Sequence, residues 1–346
     1  MVVLRLLYQK LNQLNQKTIL KVTSRVTYKK KILIIQSIHK EGMKLLEKNS
    51  NYEYEIVEDI SINNLKSKII NCDAVAIRTS KLPAEVIKLS KNLKIISRHG
   101  VGYDNIDLKS SKEKNIIIAI TAMSNAVAVA EHVMFMLLSI SKGKNMYHES
   151  VKSGNFNERN KLSKTIEIWN KNFLIIGFGR IGQSLIKRCL GFEMNVFVYD
   201  PFVSKEKIES LGGKKVDNIA ETVKSMDAIS LHMPLNKDTK NMINYNLLKT
   251  MKKNCIIINA ARGGIINEND LNKALNENLI FGAGLDVFEI EPPQKENPLL
   301  KNDKVFLSPH TAAFTEECMI RMGKETIQNI IDFFEKNLQK SKIVKL

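Results

Sequence analysis

Acidic residues and arginine are both scarce in this chain of 346 residues. Its 36 Asp and Glu stand against 53 Lys and Arg, which leaves a formal net charge of +17 at pH 7. Only nine of the basic residues are arginine, and the lysines are spread along the whole chain without interleaved aromatics. Arginine is the usual residue for bidentate phosphate and base contacts, so the composition argues against a nucleic-acid partner. The positive field would instead help to attract a small anionic substrate.

Cysteine pairs and long apolar runs are also missing. The four cysteines lie far apart, and neither a C-x-x-C spacing nor a His/Cys/carboxylate cluster indicates a metal site. We therefore expect no metal, and reduced, buried thiols in a cytoplasmic protein. No apolar run approaches the roughly 18 residues needed to cross a bilayer, so we expect no membrane partner. The length exceeds what one hydrophobic core usually organises, which predicts two domains.

The N-terminus contains no Asp or Glu before Glu41. Such a basic, acid-free start is typical of a transit peptide, and it also fits a disordered extension or a misassigned start codon. A secretory signal is not indicated, because no sustained apolar segment precedes a small-residue cleavage site. The folded pattern begins at Lys31, so residues 1–30 are predicted to lie outside the fold.

From Lys31 onward, short β-branched apolar runs alternate with helical patterns, as in parallel α/β proteins. Five strands precede a long apolar helix at 124–141 and a polar stretch at 145–165, which we interpret as a passage between domains. Six further strands predict a doubly wound nucleotide-binding sheet. One helix, at about 316–336, is expected to return to the first domain. The predicted strands are 32–35, 54–57, 74–77, 93–97, 116–120, 173–176, 196–199, 228–231, 255–258, 280–285 and 305–307.

This order of elements predicts an inserted domain. Residues 31–123 and 308–346 would form a substrate-binding domain, and residues 124–307 a nucleotide-binding domain inserted into it. The active site would then lie in the cleft between the two bodies.

The sharpest local signal is the sequence GFGRIG at 177–182, directly after the strand at 173–176. Gly177 permits a tight turn, Gly179 lets the backbone approach a pyrophosphate, and Gly182 lets the helix pack close to its strand. Asp200 ends the next strand, 18 residues after Gly182, where a carboxylate can accept hydrogen bonds from ribose hydroxyls. Its charge would repel a 2′-phosphate, and the next three residues include no arginine, so NAD is predicted in preference to NADP.

Three further segments follow strands of the same predicted sheet. The first is NAARGG at 259–264, where Arg262 can bind a carboxylate through two hydrogen bonds. The others are GLDVFEIEPP at 284–293 and SPHTAA at 308–313. Earlier in the chain come RHGVGYDNID at 98–107 and NAVAVAEH at 125–132. In this order, from about Lys31 to the C-terminal helix, the segments resemble the D-isomer-specific 2-hydroxyacid dehydrogenase family.

The resemblance implies a fold and a catalytic set. The fold is α/β, with two doubly wound parallel-sheet domains, a Rossmann NAD-binding domain inserted into a flavodoxin-like substrate domain. Arg262 would bind and polarise a 2-keto acid, His310 would be the acid/base, and Glu291 would be the partner of His310. Glu289 is only two residues away, and the position before the proline pair selects Glu291. Ketone reduction builds negative charge on oxygen, which an imidazolium can protonate while an arginine stabilises it.

The resemblance also implies contacts to cofactor and substrate. Besides the glycine loop and Asp200, the residues implied to hold NAD are Arg180 and Ile181 along the pyrophosphate, His232 and Pro234 near the adenosine, and Ala260 and Asp286 at the carboxamide. The residues implied to close on the substrate carboxylate are Arg78, Thr79, Ser80, Gly100, Val101 and Gly102. The Arg78 loop is one residue shorter than the family's Arg-Ser-x-Thr type, and His99 replaces a residue that is often small. These departures leave the identity of the substrate open.

We expect an NAD-dependent dehydrogenase of a small D-2-hydroxy acid, with 3-phosphoglycerate, and hence serine biosynthesis, considered first. A glyoxylate or hydroxypyruvate reductase is the alternative within the class. An NAD(H)-sensing protein like the family's co-repressors is the alternative of another class, and the presence of arginine, glutamate and histidine together favours the enzyme. Only 36 residues follow His310, too few for an appended regulatory domain.

Family similarity also implies a homodimer, built through the nucleotide domains and the helix at 124–141. His132 lies on that helix in an apolar segment. It is interpreted as a packed or interface histidine rather than as a second acid.

Overall fold

The computed structural model describes residues 29–346, so the predicted N-terminal extension falls mainly on residues outside the described part of the chain. The described residues form two compact units. One comprises the chain up to His99 together with Tyr103–Ile120 and Gly323–Leu346, and the other comprises Gly100–Gly102 and Thr121–Met322. Along the chain, the second unit is therefore inserted into the first.

The second boundary differs from the predicted one. The sequence assigns residues 308–322 to the substrate domain, whereas the structure packs them with the second unit. The start of this segment is held by a side chain of that unit, Asp286, whose carboxylate accepts hydrogen bonds from the backbone N–H groups of Thr311 and Ala312 at 2.8 and 2.9 Å.

The first unit is built on a five-stranded parallel sheet. Its strands are β1 (Lys30–Ile35), β2 (Tyr52–Val57), β3 (Ala74–Ile77), β4 (Ile95–Arg98) and β5 (Ile117–Ile120), and its first four helices are α1 (Lys40–Glu47), α2 (Ile62–Lys68), α3 (Ala84–Ile87) and α4 (Leu108–Glu113). The spatial order is β2-β1-β3-β4-β5, the flavodoxin-like order. Successive side chains of β1 enter opposite cores, Leu33 and Ile35 on one face and Ile32 and Ile34 on the other. Both faces are covered, which is why β3 and most of β1 read as continuous apolar runs.

The second unit is built on a seven-stranded parallel sheet. Its strands are β6 (Asn172–Ile176), β7 (Asn195–Tyr199), β8 (Lys214–Lys215), β9 (Ala228–Leu231), β10 (Ile256–Asn259), β11 (Gly282–Leu285) and β12 (Val305–Leu307). The spatial order is β12-β11-β10-β9-β6-β7-β8, so the order reverses between β6 and β9, where doubly wound sheets bind ligands. The sequence predicted six of these strands. It missed β8, a two-residue edge strand of lysines that pairs with β7.

The helices of the second unit begin with α5 (Ala126–Ser141) and α6 (Lys144–Lys152), followed by a 3₁₀ turn at Phe156–Lys161. The polar stretch at 145–165 was predicted to be a passage between domains, and this prediction is wrong. The whole stretch lies within the second unit. A hydrogen bond from Ile166 N to the Ser141 carbonyl joins the residues on either side of it, and Tyr147 Oη donates to the Ser163 carbonyl inside it. The remaining helices are α7 (Arg180–Gly191), α8 (Lys205–Glu209), α9 (Ile219–Thr222), α10 (Tyr245–Leu248), α11 (Glu268–Asn276) and α12 (Glu316–Phe334).

The last helix, α12, continues past the second unit into the first. A Cβ added to Gly42 would lie 2.4 Å from the Gly323 carbonyl oxygen, so two glycines allow this close crossing of helices. Beyond it, Ile327, Ile330 and Ile331 pack into the core that also contains Ile32. Among residues 29–346, no single helix is long and apolar enough to cross a membrane, although α5 and Asn145–Lys152 meet that test together across a 61° bend.

Candidate active site

The glycine loop lies between β6 and α7. Gly177 has a φ of 95°, and a Cβ there would lie 2.6 Å from the His232 carbonyl oxygen. Gly182 packs equally tightly, because its Cβ would lie 2.5 Å from the Gly177 carbonyl oxygen. A Cβ on Gly179 would meet no atom within 4 Å. The backbone is therefore open at the N-terminus of α7, where Arg180 and Ile181 lie, and this opening fits an anionic pyrophosphate.

Asp200 lies at the end of β7, beside the glycine loop. Its Oδ2 accepts from Phe178 N at 2.7 Å, and its Oδ1 accepts from Phe202 N at 2.8 Å and from Val203 N at 3.2 Å. Since a carboxylate offers about four acceptor positions, these three bonds fix its orientation and leave capacity for a ribose hydroxyl. The negative charge of the Asp200 carboxylate would repel the 2′-phosphate that distinguishes NADP from NAD.

His232 and Pro234 follow β9 on the other side of the loop. His232 N donates to the Ile176 carbonyl at 2.7 Å, and its Nε2 lies 2.8 Å from Ser230 Oγ. Burial lowers the pKa of His232 to about 3, so the ring is neutral at pH 7. Pro234 is exposed, and its carbonyl accepts from Thr239 Oγ1 at 2.7 Å. The structure thus places His232 against Gly177, with Pro234 two residues further on.

Arg262 lies on the loop after β10, which Asn259 and Ala260 begin. Asn259 Nδ2 donates to the Arg262 carbonyl at 2.8 Å, and the Arg262 guanidinium donates to the Ala261 carbonyl at 2.7 Å. A Cβ on the next residue, Gly263, would lie 1.8 Å from the Phe288 carbonyl oxygen. Glycine therefore lets this loop touch the loop after β11, which brings Arg262 near the glutamates of that loop.

Asp286 follows β11 and is almost completely buried. Its Oδ1 accepts from Ser308 Oγ at 2.6 Å and from Thr311 N at 2.8 Å, and its Oδ2 accepts from Ala312 N at 2.9 Å. Its carbonyl accepts from His310 N at 2.8 Å. One aspartate therefore holds the backbone on both sides of His310, and it holds His310 at a φ of 52°, a left-handed conformation that non-glycine residues seldom adopt.

His310 and Glu291 form a hydrogen-bonded pair, with His310 Nδ1 2.8 Å from Glu291 Oε2. Glu291 Oε1 accepts from Phe288 N at 3.1 Å, which orients the carboxylate. The side chains of His310 and Glu291 are 50% and 36% exposed, so a small molecule can reach the imidazole. Because Nδ1 donates to the carboxylate, Nε2 is the nitrogen left to exchange a proton.

The charge on Glu291 is favoured by its surroundings. Burial alone would raise the pKa of its carboxyl, but the hydrogen bond and charge of His310, the Phe288 N–H and the charge of Arg262 together lower that pKa below its usual value. Glu289, the alternative partner considered from the sequence, instead accepts from Glu268 N at 3.1 Å at the start of α11. The structure thus brings together Arg262, Glu291 and His310.

An apolar cavity of about 430 Å³ lies beside the Glu291–His310 pair. Its walls are mostly apolar, so one side of the pair faces a nonpolar surface. The lining residues are Phe288, Glu291, Pro292, Pro293, Leu300, Leu307, Ser308, Pro309 and His310.

In the first unit, the predicted substrate residues Arg78, Thr79 and Ser80 follow β3. Gln36, directly after β1, accepts from Thr79 N at 3.1 Å and from Ser80 N at 3.0 Å through its side-chain oxygen. Asn105 Nδ2 donates to the Arg78 and Ser80 carbonyls at 3.1 and 2.8 Å. The loop is therefore fixed from both sides, and Gln36 and Asn105 are two supporting residues that sequence reasoning did not select. Gln36 could have been found, since it ends a strand as Arg78 does.

His99 follows β4 in the same unit and is buried, with a side chain only 5% exposed. Burial, and then the charges of Arg78 and Arg98, lower the pKa of His99 to about 3. Gly100, Val101 and Gly102 come next and group with the second unit, where the Gly100 carbonyl accepts from Thr121 N at 3.0 Å.

Across residues 29–346, no three His, Cys, Asp or Glu side chains converge in a way that could hold a metal ion. The four cysteines are buried and free.

Comparison with known proteins identifies the family. The model of the D-isomer specific 2-hydroxyacid dehydrogenase NAD binding domain matches residues 134–312. D-3-phosphoglycerate dehydrogenase of Methanocaldococcus jannaschii is 40% identical over 301 residues, which cover 87% of this chain and 56% of that protein. Hydroxypyruvate reductase of Thermotoga maritima is 37% identical, over 85% of this chain and 94% of that protein. A crystal structure of Aquifex aeolicus D-lactate dehydrogenase with NAD and lactic acid is similar at a TM-score of 0.79 and 28% identity, covering 90% and 98% of the two chains.

The fold and the site thus define an α/β protein with an NAD-binding Rossmann unit. The chain belongs to the D-isomer-specific 2-hydroxyacid dehydrogenase family. The predicted family, the predicted fold class and NAD as the cofactor are therefore confirmed. The chain spans little more than half the length of the phosphoglycerate dehydrogenases that it matches, 56% and 57% in the two archaeal proteins.

Proposed function

We propose that the chain is an NAD-dependent D-2-hydroxyacid dehydrogenase, which interconverts a small 2-hydroxy acid and the matching 2-keto acid. The observation that carries this proposal is the 2.8 Å hydrogen bond between His310 and Glu291, with the charge of Arg262 acting on the same carboxylate. Family membership supplies the reaction class, and this geometry supplies the groups that the reaction needs.

Each side chain has a separate task. The Glu291 carboxylate accepts a hydrogen bond from Nδ1–H of His310 and stabilises the imidazolium, so that Nε2 gives a proton to the substrate oxygen in reduction and takes one in oxidation. Arg262 binds the substrate carboxylate and stabilises negative charge on the neighbouring oxygen. The glycine loop, Asp200 and Asp286 would hold NAD, which when bound supplies the hydride acceptor or donor.

Substrate recognition is proposed to involve the first unit as well. Arg78, Thr79 and Ser80, with the backbone of Gly100–Gly102, would contribute to binding the carboxylate. The two hydrogen bonds from the loop to Gln36 support this proposal, because a pre-organised loop loses less entropy when it binds an anion.

For the substrate itself, 3-phosphoglycerate is proposed first, which would place the reaction in serine biosynthesis. The 40% identity to an archaeal phosphoglycerate dehydrogenase supports it. A hydroxypyruvate or glyoxylate reductase is the second candidate, supported by the match to 94% of the Thermotoga maritima hydroxypyruvate reductase.

A panel of 2-keto acids with NADH tests the substrate, with 3-phosphohydroxypyruvate, hydroxypyruvate and glyoxylate compared by loss of NADH absorbance. We expect kcat/KM for the phosphorylated acid to exceed the others by at least about 10-fold, the factor that one charged hydrogen bond of about 1.5 kcal/mol supplies. Equal kcat/KM values with and without the phosphate would support the reductase instead. NADH binding without turnover of any acid would support a sensor.

We also propose a homodimer built through the second unit. Its α5 and the segment that follows expose several large apolar side chains, which a second copy could cover. These are Val127, Phe135, Val151, Phe156 and Trp169, each at least 41% exposed.

A further inference from the structure

His132 is connected to the catalytic segment through one hydroxyl group. It lies on α5, 176 residues before Ser308, and its Nε2 is 2.8 Å from Ser308 Oγ. The same Oγ lies 2.6 Å from Asp286 Oδ1, and His132 Nε2 lies 3.6 Å from that oxygen. Three side chains from α5 and from the loops after β11 and β12 thus form one chain of polar contacts.

The direction of these hydrogen bonds follows from the chemistry of the groups. A carboxylate has no proton to donate, so the Ser308 hydroxyl must donate to Asp286. Because the only hydroxyl proton of Ser308 is donated to Asp286, Ser308 Oγ can only accept a hydrogen bond from His132. The neutral imidazole must therefore carry its proton on Nε2. Burial lowers the pKa of His132, although the charge of Asp286 acts in the opposite direction. The ring is therefore neutral at pH 7, and its single ring proton lies on Nε2.

The last member of this chain controls the backbone around His310. Asp286 accepts from the N–H groups of Thr311 and Ala312 and, through its carbonyl, from His310 N. A rotation of the carboxylate would release the two amides that follow His310. The left-handed φ of His310 makes this segment sensitive, because such a conformation persists only where its surroundings impose it.

We propose that His132 is a positioning residue for His310. By donating from Nε2 to Ser308 Oγ, it commits the Ser308 proton to Asp286 and so fixes the carboxylate that holds the segment 308–313. This role rests on the proposed function for its catalytic consequence, but its structural consequence is measurable without turnover.

The test compares His132→Leu, which removes the donor, with His132→Gln, whose side-chain amide can replace Nε2–H. His148→Leu is the control, since it makes the same change at an exposed position of α6 that is not part of these polar contacts. The readouts are kcat and KM for the keto acid, and hydrogen exchange of the Thr311 and Ala312 amides.

We expect His132→Leu to lower kcat about 10-fold, a loss typical of a small misplacement of a catalytic group, with KM within about 2-fold of wild type. Exchange at Thr311 and Ala312 should be faster in the same variant. His132→Gln should restore both readouts, and His148→Leu should change neither. Unchanged kcat and exchange in His132→Leu would overturn the proposal, as would equal damage in the Leu and Gln variants.

Ser308→Ala keeps the test decisive if His132→Leu does not fold, because it removes the hydroxyl at the centre of the same series of polar contacts. Its effect on amide exchange should equal that of His132→Leu, and the double variant should be no worse than either single variant. Fully additive effects of the two substitutions would contradict the view that both act through the same polar contacts. If the wild-type protein turns over no 2-keto acid, the proposed function fails, while amide exchange still decides the positioning role.

Discussion

The hydrogen bond between Glu291 and His310 determines how a single imidazole can act at the site. Its Nδ1 is occupied at 2.8 Å, its Nε2 is left for the substrate, and its side chain is half exposed. His99 and His232 differ, because burial lowers the pKa of each to about 3 and removes them from acid–base chemistry at neutral pH. The difference in burial therefore separates His310, which a substrate can reach, from the two buried histidines.

Replacing Glu291 by Gln should lower kcat about 10²-fold, the low end of acid–base assistance, because an amide carries no charge to stabilise the imidazolium. The same variant should show a pH-dependent loss of stability. The pKa of Glu291 lies below its usual value of 4.5, so its charge stabilises the fold above that value, and this contribution disappears as the pH falls through the lowered pKa.

Thermal melting across pH measures this effect. The difference in Tm between wild type and Glu291→Gln should be largest near neutral pH and should close below pH 4.5. Glu289→Gln is the matched control, since Glu289 binds the start of α11 and not His310, and its kcat should stay at the wild-type value. A Tm difference that grows as the pH falls would contradict the argument.

Individual site residues were predictable from the sequence where they belong to short local patterns. Gly177 and Asp200 follow β6 and β7 directly, and Arg262 and His310 lie three residues after β10 and β12 end. Parallel strands present these ends at one edge of a sheet. The contact between His132 and Ser308 was not predictable. It joins residues 176 apart, and nothing in either local segment indicates that they meet.

At the scale of elements, the strands were predictable because both faces of each sheet are covered. Successive residues of β6, such as Phe173 and Leu174, enter different cores, so a central strand of this kind is a continuous apolar run that the sequence displays. The edge strand β8 has only two residues, both lysine, and leaves no such trace. The stretch at 145–165 was misread because its helix is polar, whereas the structure places all of it in the second unit.

The turn between β6 and α7 provides an element-scale test of the cofactor site. A Cβ on Gly179 meets no protein atom within 4 Å, so Gly179→Ala should leave the Tm close to that of wild type. The added methyl group would occupy the space that the pyrophosphate needs, so the Kd for NADH should rise by at least about 10-fold, equivalent to 1.4 kcal/mol.

Gly191→Ala is the matched control for this substitution. Gly191 ends α7, and a Cβ there also meets no atom within 4 Å. This variant should bind NADH as wild type does, and its Tm should not fall, since alanine favours helix. Equal NADH affinity in the Gly179 and Gly191 variants would show that the open space is not the cofactor site.

For the whole molecule, the sequence predicted that one domain is inserted into another, while the exact point of return depends on tertiary contacts. Residues 308–322 belong to the second unit, where Asp286 binds Thr311 and Ala312 and the Ser124 carbonyl accepts from Arg321 Nε. Only from Gly323 does α12 pack on the first sheet. A buried carboxylate that binds backbone 25 residues away has no sequence signature of its own.

The proposed homodimer is a second property of the whole molecule. Light scattering should give the mass of two chains, and Phe156→Asp should shift the protein toward a single chain, because Phe156 is 59% exposed in the proposed interface. A charge placed in a hydrophobic contact is costly to bury, whereas the same substitution on a free surface has little effect. Wild-type protein with the mass of one chain at working concentration would contradict the dimer.

The most direct test of the catalytic assignment is turnover by His310→Ala, measured beside its affinity for NADH. The imidazole of His310 transfers the proton in the proposed reaction, and it does not lie on the glycine loop. The Kd for NADH should therefore stay within about 3-fold of wild type, while kcat should fall by at least about 10²-fold. Wild-type kcat in this variant would contradict the proposal that His310, held by Glu291 and Asp286, is the acid and base of the reaction.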